Sequence, residues 1–284
     1  MASHIGRRKF LATLGGAAAA WPLAAGAQEP DRVRRIGVLT AFAEDDPEIR
    51  ARLAAFRQGL EKRGWSEARN VRIDYRFAPA GAQMQVLAKE LVALQPDVIL
   101  ANSTPVTAAL QRESRTIPIV FAIVADPIGS GFVASLPRPG GNITGVMLYE
   151  ASVTGKWLAM LKEIAPRLVR AALVANPKTA TFYNSYVQAA EAAAPSLGIE
   201  PVPTFVENAS DIERAIASFG SAPNGGVVLI PDVTTTVHRN LIIALAARHR
   251  VPAVYFSRIF VTAGGLMSYG TDLVDMFRQA ASYV

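Results

Sequence analysis

Strand-length apolar runs and helix-length amphipathic runs alternate along almost the whole chain after residue 32, and this alternation limits the possible folds more than any other feature. Arg35-Ile36-Gly37-Val38-Leu39-Thr40 is a short apolar run that ends in a loop, the pattern of a buried strand. Residues 47–63 set Ile49, Leu53, Phe56 and Leu60 three or four apart, which is one face of a helix, and Gly64 closes the segment. Val71, Ile73, Tyr75 and Phe77 alternate with Arg72, Asp74 and Arg76, which predicts a strand with one solvated face. A helix through Met84, Leu87, Leu91 and Val92 follows, then a strand at 98–101. Asn102-Ser103-Thr104-Pro105 opens the next helix, and a strand at 117–124 runs into Ala125-Asp126-Pro127. Strand–helix rounds in this order predict a parallel sheet covered by helices on both faces.

Pro137, Pro139, Gly140 and Gly141 break the pattern, Asn142-Ile143-Thr144-Gly145-Val146 follows, and the alternation then restarts. A helix at 152–165 leads to a strand at 171–175 that ends in Asn176-Pro177, and an Ala-rich helix reaches Leu197 before Gly198 stops it. A strand at 202–206 precedes a helix opened by Ser210-Asp211-Ile212-Glu213, a capping box. A strand at 227–230 ends in Pro231-Asp232, a helix carries Leu241, Leu245 and Ala246, and strands follow at 253–256 and 266–269. Residues 272–284 form an amphipathic helix through Leu273, Met276, Phe277 and Ala280. The predicted fold class is α/β, with two doubly wound parallel-sheet lobes. Residues 33–143 plus 271–284 make the N-terminal lobe and 148–265 the C-terminal lobe. Crossings at 143–148 and 265–271 serve as hinges beside an interlobe cleft.

The first 27 residues read differently. Arg7, Arg8 and Lys9 precede an uncharged apolar run from Phe10 to Ala24, and Ala25-Gly26-Ala27 ends it with small residues. This is the pattern of a cleaved export signal, and Arg-Arg-x-Phe-Leu gives it a twin-arginine character. The apolar core is shorter than the ~20 residues a spanning helix needs and contains Pro22. The mature chain is therefore expected to be exported, not membrane-inserted, and free of a lipid anchor, because the sequence has no cysteine. Of the formal net charge of +6, three charges lie in this leader. The small remaining excess is scattered, so nucleic acid is not an expected partner. The missing cysteines exclude thiolate metal sites and disulfides, and no cofactor or metal is expected.

In an open parallel sheet a ligand sits beyond the carboxyl ends of the strands, where the following helices present free N–H groups. The residues just after the strands of the first half are Thr40, Phe42, Ser103, Thr104, Asp126 and Pro127. Those of the second half are Asn176, Pro177, Asp232, Tyr255 and Ser257. Hydroxyls, an amide, carboxylates and aromatic rings suit a small polar or zwitterionic molecule. Each position also has a purely structural reading. Ser103-Thr104-Pro105 suits an N-cap before a helical proline, Asp126 and Asp232 suit caps or loop ties, and Asn176-Pro177 suits a turn. Tyr255 and Phe256 follow each other, so one faces the core and the other need not.

Several long stretches resemble the periplasmic solute-binding proteins of ABC transporters. They are residues 35–40, Phe56-Arg57-Gln58-Gly59-Leu60, residues 117–146, residues 245–253 and Ala263-Gly264-Gly265-Leu266-Met267-Ser268-Tyr269-Gly270. The resembling branch is the type I fold group that includes tryptophan-binding members. The resemblance implies a type I periplasmic binding protein fold, here C-terminally truncated, since family members cross between the lobes once more beyond residue 284. It implies that Ser103, Thr104, Asp126, Asn142, Thr144 and Asp232 lie at or near the ligand. The expected partners are a small-molecule solute, an amino acid or related compound, and an ABC transporter permease, with the binding protein a monomer in the periplasm. One rival reading is a ligand-sensing domain reporting to a membrane receptor.

An exported α/β enzyme is the other rival, and the residues oppose it. Gly129-Ser130-Gly131-Phe132-Val133-Ala134 matches a dinucleotide fingerprint. However, four residues separate it from its strand, and Pro137 and Pro139 break the helix that should follow. No G-x-S-x-G elbow occurs, and His238 and His249 stand 11 apart on one predicted helix, too far to share a metal.

Overall fold

The strand-length apolar segments assemble into two five-stranded, all-parallel sheets in a computed structural model that describes residues 32–67, 69–79 and 83–284. The export leader expected at residues 1–27 lies outside the described residues. The first sheet contains β1 (Arg34–Thr40), β2 (Val71–Phe77), β3 (Val98–Asn102), β4 (Ile119–Val124) and β5 (Ile143–Met147), in the order β2-β1-β3-β4-β5. Helices α1 (Pro47–Glu61), α2 (Met84–Ala93) and α3 (Thr104–Glu113) connect its strands. The second contains β6 (Arg170–Ala175), β7 (Glu200–Phe205), β8 (Gly225–Leu229), β9 (Ala253–Tyr255) and β10 (Met267–Ser268), in the order β10-β9-β8-β6-β7. Around it run α4 (Val153–Ile164), α5 (Tyr183–Leu197), α6 (Ala209–Ser221), α7 (Val233–Val237), α8 (Arg239–Arg248) and α9 (Arg258–Thr262). The last helix, α10 (Leu273–Ala280), returns to the first half and packs on α1.

Burial explains the strand patterns. In β1, β3 and β4, Val38, Leu100 and Val120 face one helical layer while Leu39, Ile99 and Phe121 face the other. Both faces of these strands are covered, so their sequences are continuously apolar. The edge strand β2 instead exposes Arg72 and sets Asp74 against Arg35, whose Nε donates to Asp74 Oδ2 at 2.6 Å. Phe277 and Ala280 of α10 complete the first of these layers. The second half encloses one larger core, in which Trp157, fully buried, donates from its indole nitrogen to the Tyr269 carbonyl at 2.9 Å. Each such buried large side chain contributes about 1.5–3 kcal/mol.

Three local outcomes differ from the sequence reading. Residues 143–147 form β5 of the first sheet, and the chain passes to the second half after them, through Leu148–Ser152. The cap of α6 is Asn208, which accepts from the Asp211 amide at 3.1 Å, while the Asp211 carboxylate accepts from the Glu207 amide at 2.9 Å. The capping box thus sits two residues before the Ser210 expected, because Asp211, not Glu213, is the acid that reaches back. β7 includes Pro201 and Pro203, tolerated because this strand is an edge of its sheet.

Tyr149, in the first passage between halves, joins it to the second. Its hydroxyl donates to the Phe256 carbonyl at 2.7 Å and accepts from the Thr271 amide at 2.8 Å. Among the described residues no helix is long and apolar enough to cross a membrane.

Two glycines permit close approaches. A Cβ on Gly59 of α1 would lie 2.7 Å from Ala281 Cβ and 2.9 Å from the Arg278 carbonyl oxygen, so this glycine lets α10 dock. A Cβ on Gly145 would lie 2.1 Å from the Phe121 carbonyl oxygen, in the middle of the β4–β5 pairing. Gly145→Ala is therefore expected to lower unfolding free energy by roughly 3 kcal/mol or more, measured by urea denaturation.

Candidate functional site

The carboxyl ends of β1, β3 and β4 and the loop after β8 converge on one recess. Phe42, Arg52, Asn102, Ser103, Thr104 and Ile123 line it from the first half, and Thr179, Phe182, Asp232, Thr236 and Phe256 from the second. Leu148 and Leu273, flanking the two passages between halves, close its back. The recess and its open mouth contain about 450 Å³ of space between atoms.

The floor of the recess is built by the ends of neighbouring strands. Thr40 and Asn102 are register partners, and Asn102 Nδ2 donates to Thr40 Oγ1 at 3.0 Å. Ser103, next in the chain, holds φ 95° and ψ 161°, a backbone region almost reserved for glycine. Its backbone is held there, for its amide donates to the Ala122 carbonyl at 3.0 Å and its carbonyl accepts from the Thr107 hydroxyl at 2.9 Å. The Ser103 hydroxyl does not cap α3 and has no hydrogen-bond partner. Ile123, a β-branched residue at φ 60°, occupies the bulge that shifts β4 against β5, and the bulge re-aims its side chain. Strain therefore collects around one wall of the recess.

The opposite wall is organised by Asp232. This carboxylate accepts from the Asn176 amide at 3.2 Å, the Thr235 amide at 3.0 Å and the Thr179 hydroxyl, and so ties the ends of β6 and β8 and caps α7. Burial raises its pKa above the ordinary carboxylate range, against these hydrogen bonds, which lower it. Across the recess, Arg52 of α1 is 1% exposed. Its guanidinium lies 5.4 Å from the Phe42 ring centroid, and burial pulls its pKa down to about 10. Arg52 and Asp232, residues of opposite charge, thus line the same recess, and Glu48 and Asp46 favour the Arg52 cation through space. A half-buried ion pair bridges the two halves, Arg239 Nη1 to Asp46 Oδ2 at 3.1 Å, and Asp46 also caps α1.

Among the described residues, five buried side-chain polar atoms lack a hydrogen-bond partner. Four of them are Arg52 Nε and Nη2, Asn102 Oδ1 and Ser103 Oγ, all on residues that line this recess. Native interiors satisfy nearly all such groups, so their concentration in one recess sets it apart from the rest of the core.

Of the residues expected from sequence, the recess brings together Phe42, Ser103, Thr104 and Asp232. Thr40 and Asn176 sit just behind it, Thr40 bonded to Asn102, and Asn176 bonded to Asp232 and, through Nδ2, to Thr234 at 3.0 Å. Asp126 and Pro127 occupy the next turn, where Asp126 Oδ1 accepts from the Gly129 amide at 2.8 Å. That bond accounts for the glycine-rich stretch as a capped turn. Asn142 precedes β5 at its amino end, away from the strand ends that form the recess, and donates to the Ile117 carbonyl at 2.7 Å. Thr144 lies within β5 opposite Val120. Tyr255 points to the other side of its strand, stacks on Phe260 with centroids 4.9 Å apart, and is pushed up to about 12 by burial. Phe256 lines the recess instead, and Ser257 caps α9. Sequence reasoning missed Arg52, Asn102, Thr179, Phe182 and Thr236. Arg52 carried a readable signal, a cation set three residues after Ile49 and four before Phe56 on the apolar face of α1.

The model of the family described as ABC transporter substrate binding protein matches residues 36–284. The tyrosine-binding protein of Clostridioides difficile is 26% identical over 232 residues, 80% of this chain and 65% of that protein, so the chain spans just under two thirds of that relative's length. A conserved domain protein from Vibrio cholerae superposes with a TM-score of 0.80 at 27% identity, covering 89% of this chain and 83% of that one. An ABC domain from Streptococcus pneumoniae, solved in complex with L-Trp, superposes with a TM-score of 0.77 at 22% identity, covering 88% and 83%. That second likeness concerns the two-lobed fold.

Replacing Ser103 by glycine removes the backbone strain together with the unpaired hydroxyl. Ser103→Gly is expected to raise the stability of the unliganded protein by about 1 kcal/mol, read as an increased urea midpoint at unchanged m-value.

Proposed function

The chain belongs to the ABC transporter substrate binding protein family, and from that premise we propose that it is an exported protein that captures a small amino acid-like solute in the recess between its halves and delivers it to an ABC transporter permease. The observation that carries this reading is that two residues of opposite charge, Arg52 and Asp232, line one recess beside three phenylalanine rings. A zwitterion supplies a negative and a positive group a short distance apart, and Phe42, Phe182 and Phe256 supply an apolar wall for its side chain. The tyrosine-binding relative supports an aromatic amino acid as the first ligand to test. The leader at residues 1–27 supports export to the periplasm, and the passages at Tyr149 and Thr271 are the natural hinges for closure. Closure would assemble one surface from both halves, and the permease would recognise that surface.

The test is a thermal-shift screen of the mature chain against L-amino acids, organic acids and nucleosides. A ligand at 100 times its dissociation constant adds about 2.7 kcal/mol, or roughly 5–10 °C for a chain of this size. An aromatic amino acid is expected to give such a shift. If no amino acid moves the melting temperature, the reading fails.

The binding should also depend on acidity. The raised pKa of Asp232 means that it takes up a proton at a higher pH than an ordinary carboxyl, and a protonated carboxyl no longer attracts an ammonium group. Affinity for L-tyrosine, measured by calorimetry, is expected to fall as pH is lowered from 7 through that raised pKa. Asp232→Asn should bind weakly at neutral pH and lose most of this dependence.

A further inference from the structure

We infer that Arg52 is the carboxylate anchor of the recess, receiving the acid group of the solute side-on along its Nε–Nη2 edge. This rests on the reading of the recess as the solute site and adds the chemical class that the site selects. The two unpartnered nitrogens of Arg52 are not an arbitrary pair. In a planar guanidinium, Nε–H and the N–H of the η nitrogen on the same edge point in parallel, at the spacing of the two oxygens of a carboxylate. Those are the two donors left without partners, on a side chain that is almost wholly buried and borders the recess.

One neighbouring charge is committed elsewhere. Asp46 accepts from the Glu48 and Ile49 amides through Oδ1 and from Arg239 through Oδ2, so it caps α1 and bridges the halves. Glu48 and Asp46 favour the Arg52 cation only through space, and Arg239 opposes it. The contact that remains is with the face of Phe42, 5.4 Å from ring centroid to guanidinium carbon. A buried cation with an unsatisfied edge costs stability in the unliganded protein. A purely structural arginine at this position would spend that edge on a carbonyl or carboxylate of the fold. A carboxylate arriving with the solute satisfies both donors and supplies the counter-charge together. Asn102 Oδ1 and Ser103 Oγ, also unpartnered, then lie on the same wall to accept hydrogen bonds from the remainder of the solute.

The experiment compares L-tyrosine, tyramine (which lacks the carboxylate) and 3-(4-hydroxyphenyl)propionate (which lacks the ammonium). Each is measured by calorimetry against the wild-type mature protein, Arg52→Met and Arg52→Lys. Wild type is expected to bind L-tyrosine at least 100-fold more tightly than tyramine. Arg52→Met should lose at least 100-fold in L-tyrosine affinity while melting, without ligand, at or above the wild-type temperature. Arg52→Lys, charged but unable to present two parallel donors, should lose about 10- to 100-fold. L-tyrosine affinity within threefold of wild type in Arg52→Met overturns the inference. If Arg52→Met does not fold, Arg52→Lys decides, and an unchanged preference for L-tyrosine over tyramine overturns the inference. Wild-type binding of the propionate or another organic acid but of no amino acid, with the loss in the Arg52 variants, supports the anchor and removes the amino-acid reading. Binding of tyramine or other amines without any acid removes the anchor.

Discussion

Parallel pairing is the constraint on which the rest of this structure depends. Every strand in each sheet delivers its carboxyl end to the same edge, so each half has one edge where loops, helix starts and free amides gather. The chain then links the halves by passages at Leu148–Ser152 and near Thr271, and one tyrosine hydroxyl joins both passages through the Phe256 carbonyl and the Thr271 amide. With the two passages fixed to each other, the loop edges face across a shared recess. Residues far apart in sequence, such as Arg52 and Asp232, come to border it.

The distribution of unsatisfied groups follows from this geometry. Elsewhere in the described residues, Ser130 Oγ apart, buried side-chain polar atoms are paired, as with the Tyr149 hydroxyl. At the floor of the recess the pairing stops, and the backbone is strained at Ser103 and Ile123. Strained, unpaired groups lower the stability of the unliganded protein, and they persist because the rigid strand ends around them over-determine their positions. The half-buried Asp46–Arg239 pair spans the two halves, and Asp46 also caps the helix that carries Arg52.

The sequence revealed the elements that depend on local patterning. The doubly wound alternation, the apolar strands β1, β3, β4, β6 and β8, the face of α1 and the amphipathic α10 follow from periods of 2 and 3.6 and are found as expected. β5 was not visible as a strand, because a central glycine and a proline–glycine lead lower every local strand signal, and only the close approach to Phe121 explains the glycine. That Phe256 and not Tyr255 reaches the recess was not legible, since β9 ends at Tyr255 and both rings are buried in one core against Phe260. Asn142 carried no local sign that it lies at the amino end of its strand.

Strand ends, and therefore one set of recess residues, are one-dimensional information: Phe42, Ser103, Thr104 and Asp232 could be picked from the chain by reading where apolar runs stop. What the chain alone could not decide is which polar atoms remain unpaired. That depends on partners 50 or more residues away, as when Asn102 spends its amide nitrogen on Thr40 and keeps its oxygen free. Local pattern fixes which face of an element is buried, because burial follows the period of the backbone. Only the assembled tertiary structure fixes what a buried charge meets, because hydrogen bonds and ion pairs are satisfied within about 3 Å, a distance that sequence spacing does not record.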